Sequence, residues 1–113
     1  MRQLLIMHPA TRPLSLETRI FVAGHRGLVG SALWRHFMAH GFRNLIGRTS
    51  TELDLRDARA TSAFFEETRP DVVIAAAARV GGIGANASRP VEFISDNLRI
   101  QVNLLDSAVA NGV

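Results

Sequence analysis

Seven consecutive apolar residues, Val72-Val73-Ile74-Ala75-Ala76-Ala77-Ala78, lie between Asp71 and Arg79. The run does not alternate with polar residues, so it is expected of a parallel strand buried on both faces. It is far short of the about 20 residues needed to cross a bilayer. Parallel strands need long crossover connections, usually helices, to bring the chain back in the same direction. The rest of the sequence supplies them.

Arg19-Ile20-Phe21-Val22-Ala23 is a short β-prone run that ends at Gly24 and reads as a buried strand. From Leu28 to His40, Val29, Ala32, Leu33 and Phe37 recur at helical spacing, and Gly41 suits the residue after a helix end. Asn44-Leu45-Ile46-Gly47 is a weaker second strand. Asp57 can cap a helix that runs to Thr68 with Thr61, Phe64, Phe65 and Thr68 on one face, and Arg69-Pro70 stops it. After the apolar run comes a glycine-rich loop, Val80-Gly81-Gly82-Ile83-Gly84. Ser88 and Pro90 then open a long helix with a stripe of Ile94, Leu98, Gln101, Leu105 and Ala108. Strand, helix, strand, helix, strand, helix predicts an α/β chain: a partial Rossmann fold, with a three-stranded parallel sheet flanked by three helices. Residues 1–18, with Pro9 and Pro13, read as an irregular N-terminal tail, and residues 19–113 as the domain.

Composition decides which chemistry is open to such a domain. The 113 residues include no Cys, no Tyr and no Lys, and all 13 basic side chains are Arg. Disulfides, thiolate metal sites, cysteine nucleophiles, Schiff bases and a phenolic acid are thereby excluded. The formal charge is only +3. The calculated neutral point near 11.3 follows from having nothing that titrates between His and Arg. The arginines are spread evenly, so no nucleic-acid partner is expected. The apolar start, Leu4 to Met7, is shorter than the core of a signal peptide, roughly 7–15 residues. No membrane association is expected, and the cytoplasm is the default location. His36 and His40 lie four apart on a helix without a third ligand, so no metal site is expected.

The sharpest local feature is Gly24-His25-Arg26-Gly27-Leu28-Val29-Gly30, between the first strand and the first helix. Three glycines at this spacing allow a tight turn, bare backbone where a pyrophosphate approaches, and close helix–sheet contact. The helix N-terminus then offers unpaired N–H groups to the phosphates. A glycine turn used only for packing is the alternative. At the end of the second strand, where an NAD site carries Asp or Glu, stands Arg48, and Arg26 projects from the loop. Two guanidiniums suit a 2′-phosphate, which favours NADP(H) over NAD(H), although Glu52 and Asp54 lie nearby and Arg48 could be a solvated loop charge. Ala76, Ala77 and Ala78 fall at the carboxyl end of the third strand, where small side chains let a ligand reach the backbone. His25 is expected to shape the loop, not to perform chemistry, while Asn86 and Asn97 are polar residues near the expected cleft.

The segment Val22 to Ala32 resembles the cofactor loop of the GDP-L-fucose synthases, extended short-chain dehydrogenase/reductases. Arg48-Thr49, Glu52-Leu53-Asp54-Leu55, Ala76 to Ile83, and Asn86 with Pro90 and Phe93-Ile94 agree in order and spacing. The resemblance implies 3,5-epimerisation of GDP-4-keto-6-deoxy-D-mannose followed by NADPH-dependent reduction at C4. It implies that Gly24, His25, Arg26, Gly27, Leu28, Val29 and Gly30 form the pyrophosphate loop, and that Arg26 and Arg48 hold the 2′-phosphate. Asp54 and Leu55 would lie by the adenosine, and Ala76, Ala77 and Ala78 along the rest of the cofactor. It further implies a homo-oligomer packed through helix 91–111.

The family's reductase step uses Ser and a Tyr-x-x-x-Lys motif, and its epimerase step Cys and His. Without Tyr, Lys or Cys, this chain is expected to be the amino-terminal cofactor-binding portion, with no catalytic residue. It would meet the nucleotide sugar only together with a carboxyl-terminal part. A free-standing nucleotide-binding module and a non-functional remnant are the rival readings. The outer edge of the third strand, left without a partner, is expected to make the isolated chain marginally stable and prone to associate.

Overall fold

The computed structural model describes residues 13–78 and 89–113. The expected loop 80–84, Arg79, Asn86, Ser88 and the tail up to residue 12, including His8, lie outside the described residues. Three strands and three helices alternate: β1 (Arg19–Ala23), α1 (Leu28–Ala39), β2 (Asn44–Ile46), α2 (Ala58–Thr68), β3 (Val72–Ala75) and α3 (Pro90–Ala110).

The sheet is parallel in the order β2-β1-β3, with Ile20 opposite both Leu45 and Val72. From β1 the chain crosses first to one side and then back to the other. Right-handed crossovers therefore put α1 on one face and α2 on the opposite one, where α3 packs beside α2 and β3. Local chemistry sets the ends. Asp57 accepts a hydrogen bond from the Ala60 N–H and caps α2. Arg69 ends that helix in a left-handed conformation, φ 50°, and Gly41, φ 85°, follows the end of α1. Pro90 occupies the first turn of α3, where its missing N–H costs nothing. An ion pair, Arg19 to Asp71 at 3.3 Å, ties the starts of β1 and β3. The descent of the chain into β2 is fixed by Arg43 N–H donating to Leu16 O and by the Asn44 amide donating to Glu17 O.

The core lies between the sheet and the α2/α3 layer: Phe21 and Ala23 of β1, Phe64 and Phe65 of α2, Leu53 from the segment before α2, and Ile100 and Leu104 of α3. Phe21 meets Phe64 with ring centroids 4.6 Å apart and Phe65 edge-on at 5.9 Å, arrangements that suit the ring quadrupoles.

Three expectations need correction. The strand after Asp71 ends at Ala75, not Ala78, and its residues are half-buried to exposed. The strand covered on both faces is β1, whose Ile20 to Ala23 are all buried, because β1 has a strand on each side while, among the described residues, β3 has one. Along α3, Ile94, Leu98 and Leu105 are 60–63% exposed; the packed face is Phe93, Ile100, Leu104 and Ser107. The helix carries two apolar lines about a third of a turn apart, and the expected stripe followed the outer one. On α1, Val29 and Ala32 face outward, and only Gly30 is fully buried, because the helix approaches β1 through its backbone.

Phe65 is 0% exposed at the meeting of α2 and the sheet, so Phe65→Ala is expected to cost about 3–5 kcal/mol. Urea denaturation of the variant against the parent chain measures it.

Candidate functional site

At the carboxyl ends of β1 and β3 the sheet opens into a cleft of about 600 Å³. This is the point from which the strand connections run in opposite directions, where open α/β sheets take ligands. Gly24 and Gly27 form one wall, Arg48, Ser50 and Leu53 to Arg56 the second, and Ala76 to Ala78 with Ile100 the third.

The glycines have separate duties. Gly24 leaves β1 at φ +81°, and a Cβ there would lie 2.7 Å from the Ala76 carbonyl oxygen. Gly30 presses α1 onto the turn: a Cβ on it would run into the Gly24 carbonyl. Gly27 closes the turn by donating to Gly24 O at 3.0 Å and sits at the N-cap of α1 with extended backbone. Its nearest obstacle to a Cβ is Gly24 O at 3.4 Å, an ordinary contact. Folding therefore demands glycine at 24 and 30, whereas at 27 a side chain would fit the protein and project into the cleft wall. A bare backbone that the fold itself does not require is what an approaching phosphate group needs.

Arg48 stands at the lip. Its guanidinium donates to Gly47 O at 2.8 Å and lies over the Phe64 ring, 5.2 Å from the centroid, a cation–π seat on a core residue. The following turn is locked reciprocally. Thr49 N–H donates to the Glu52 carboxylate at 2.7 Å, and Glu52 N–H donates to the Thr49 hydroxyl at 3.2 Å. The Thr49 contacts, backbone first, hold the Glu52 carboxyl below its usual pKa, with Arg48 and His25 adding to the effect.

On the next stretch Asp54 receives two bonds of 2.9 Å from the Arg56 side chain, which lowers its pKa and raises that of Arg56. Arg56 also reaches Asp96 of α3 at 3.5 Å. Two amides of α3 fasten the remaining walls: Gln101 donates to Ala77 O at 3.1 Å and Asn103 to Leu55 O at 2.8 Å.

Of the residues singled out in the sequence, Gly24, Gly27, Arg48, Asp54, Leu55, Ala76, Ala77 and Ala78 are brought together here. His25, Arg26, Leu28, Val29 and Gly30 do not line the cleft. Arg26, Leu28 and Val29 are exposed on the loop and the first turn of α1, Gly30 is buried beneath it, and the His25 ring turns toward Trp34. Ser50, Leu53, Arg56 and Ile100 are additional lining residues. The spacing Thr49-x-x-Glu52, a capping-box pattern, was the available signal for the locked turn. Gln101, expected in an apolar stripe, instead ties a cleft wall. His36 and His40 stack at 4.1 Å at the end of α1. A second hollow of about 520 Å³ lies at the opposite ends of the strands, where Arg19 pairs with Asp71 and Arg69 bonds Asn111.

A three-stranded parallel sheet with a glycine turn, a helix N-terminus and a cleft at its carboxyl edge defines the chain as a Rossmann-type dinucleotide-fold domain. Residues 20–113 match the NAD dependent epimerase/dehydratase family, and the chain belongs to it. It is 52% identical over 97 residues to GDP-L-fucose synthase 1 of Arabidopsis thaliana, covering 86% of this chain and 30% of the relative. Against the GDP-L-fucose synthase of Escherichia coli K12 it is 47% identical, with the same coverage. The chain thus spans about 30% of the length of these curated relatives. Among solved structures, a GDP-D-glycero-L-gluco-heptose synthase from Campylobacter jejuni, in the presence of NADPH, superposes with a TM-score of 0.84. It is 36% identical, over 88% of this chain and 29% of that one.

Two outcomes follow from the glycines and the acidic pair. Gly30→Ala is expected to destabilise by about 3 kcal/mol or more, and Gly27→Ala by less than about 1 kcal/mol; chemical denaturation separates them. Asp54 has a depressed pKa in the folded chain, so its pairing stabilises above the unfolded value of about 3.9 and is lost as pH falls through the lower folded value. Melting temperature should therefore fall more steeply below about pH 4 in the parent chain than in Arg56→Gln, measured by circular dichroism.

Proposed function

We propose that the cleft binds NADP(H) and that this chain is the cofactor-binding portion of a GDP-L-fucose synthase-like enzyme. Such an enzyme would carry out the 3,5-epimerisation and 4-reduction of GDP-4-keto-6-deoxy-D-mannose. The observation that carries the reading is the pairing of an unobstructed glycine, Gly27, with a guanidinium, Arg48, on facing walls of one cleft. Gly24 and Gly27, which line the cleft where α1 begins, would receive the pyrophosphate. Arg48 would take the 2′-phosphate, with four of its five N–H donors uncommitted among the described residues. Arg26, exposed on the adjoining loop, would serve as its second cation. Asp54 and Leu55 would border the adenosine, and Ala76 to Ala78 would admit the remainder of the dinucleotide against the backbone.

Bound NADPH supplies a hydride. This chain orients it and contributes no proton donor of the family's kind, since it contains no Tyr, Lys or Cys. In this reading the nucleotide sugar is engaged only with residues from the carboxyl-terminal part of the enzyme, and residues 19–113 are the amino-terminal part of its NADP-binding domain. The cytoplasm is the compartment that goes with it. A second copy of the chain is the partner that suits the outer line of α3. There Val91, Ile94, Leu98, Val102, Leu105 and Val109 are each at least 51% exposed.

Calorimetric titration tests the assignment. Saturable binding of NADP⁺ is expected to exceed that of NAD⁺, and Arg48→Ala should weaken NADP⁺ by about 10–100-fold while leaving NAD⁺ nearly unchanged. Gly27→Ala should weaken both in a chain that still folds. Equal affinity of the parent for the two cofactors, or none at millimolar concentration, refutes it.

A further inference from the structure

The ring of His25 starts in the glycine turn but packs away from the cleft. It rests on Trp34 of α1, with ring centroids 5.2 Å apart. On its other side a Cβ built on Gly47 would meet its Cδ2, Cγ and Nδ1 at 2.8, 2.8 and 2.9 Å. Three ring atoms at nearly one distance mean that the imidazole lies flat against the Gly47 backbone. Gly47 has no left-handed φ, so glycine is required there for room and not for conformation. The carbonyl of this same residue accepts the 2.8 Å bond from Arg48. A continuous line of contact therefore runs from α1 through Trp34, His25 and Gly47 to the guanidinium at the lip.

The chemistry of the ring supports a role in shape. His25 Nδ1 is buried and, among the described residues, has no hydrogen-bond partner. Buried polar atoms are ordinarily paired, so the imidazole is not kept in place by a bond through that nitrogen. What it supplies is a flat body of fixed thickness between a helix and a strand end.

We propose that His25 is a positioning residue for cofactor discrimination: its ring is the spacer that sets the Gly47 carbonyl and, through it, the Arg48 guanidinium that receives the 2′-phosphate. This rests on the reading of the cleft as an NADP(H) site. The effect falls on the phosphate that distinguishes the two dinucleotides, not on the pyrophosphate they share.

The test is calorimetric titration of NADP⁺ and NAD⁺ with the parent chain, His25→Ala, His25→Phe and Gly47→Ala. His25→Ala is expected to lower NADP⁺ affinity about tenfold while changing NAD⁺ less than about twofold. His25→Phe, which keeps a flat ring and removes the unpaired nitrogen, should restore the parent ratio. Gly47→Ala, which drives the ring off with His25 intact, should narrow the ratio as His25→Ala does, and it carries the test if that variant fails to fold. In an Arg48→Ala background, His25→Ala should no longer change the ratio, because the two act through one group. A parent that prefers NADP⁺ while His25→Ala and Gly47→Ala weaken both cofactors equally overturns the spacer and leaves the cofactor assignment standing. Loss of the preference in His25→Phe does the same. A parent that binds neither dinucleotide overturns both.

Discussion

The structure turns on one close approach of backbone to backbone, where β1 ends and α1 begins. Gly24 touches the Ala76 carbonyl on one side and Gly30 on the other, so a strand, its neighbour and a helix meet with no side chain between them. Packing of this kind fixes α1 by steric exclusion and not by burial of apolar surface, which is why its only fully buried residue is a glycine. The same approach stops the β1–β3 ladder. Once Gly24 turns off at positive φ, Ala76 has no strand residue opposite it, and Ala76 to Ala78 peel away to become a wall of the cleft. The hollow is thus a geometric consequence of the turn.

Core and cleft share residues, and this ties stability to the site. Leu53 and Ile100 belong both to the buried cluster and to the cleft lining, and Phe64 is at once a core ring and the seat of Arg48. The walls are held from behind by α3, through Gln101 to Ala77 O, Asn103 to Leu55 O and Asp96 to Arg56. Each is a polar side chain placed at the border of the apolar face of α3, where it reaches a loop carbonyl or cation without interrupting the core. An amide bonded to a backbone carbonyl contributes about 1 kcal/mol net, too little to fold the chain. It is enough to choose one loop position among several of similar energy.

Much of this was legible in the residues because it is dictated locally. Asp57 as a cap, Arg69-Pro70 as a stop, Gly41 after a helix and Pro90 in a first turn each answer to the backbone within a few positions, and each is found in that role. What could not be read is what depends on neighbours distant in sequence. The run from Val72 to Ala78 carries the composition of a central strand, yet its burial is decided by what pairs with its outer edge, and sequence periodicity holds no information about that. The long helix failed differently. It has two apolar lines, and nothing in hydrophobicity says which faces the sheet. The amides flanking the inner line, Gln101 and Asn103, were the clue, since amides that bond loop carbonyls belong at the edge of a packed face. At the site, glycine spacing identified the turn and Arg48 the lip. The path of the His25 ring depends on the room left at Gly47, a residue from another strand end.

The two basic side chains of the glycine turn and the strand end differ in how much of their placement the fold has already settled. Arg48 is exposed like Arg26, but it is seated on an aromatic ring and bonded to the carbonyl beside it, so it has less side-chain freedom to lose on meeting an anion. Ordering a mobile Arg costs on the order of 2 kcal/mol, comparable to what a single charge-assisted bond returns. Arg26, likewise exposed and without such a seat among the described residues, would have to meet more of that cost on binding. In the proposed NADP(H) reading, preorganisation would give Arg48 the larger share of phosphate recognition, although both carry the same charge. In that reading the support beneath Arg48, from Phe64 on one side and Gly47 on the other, would matter to selectivity as much as the guanidinium itself.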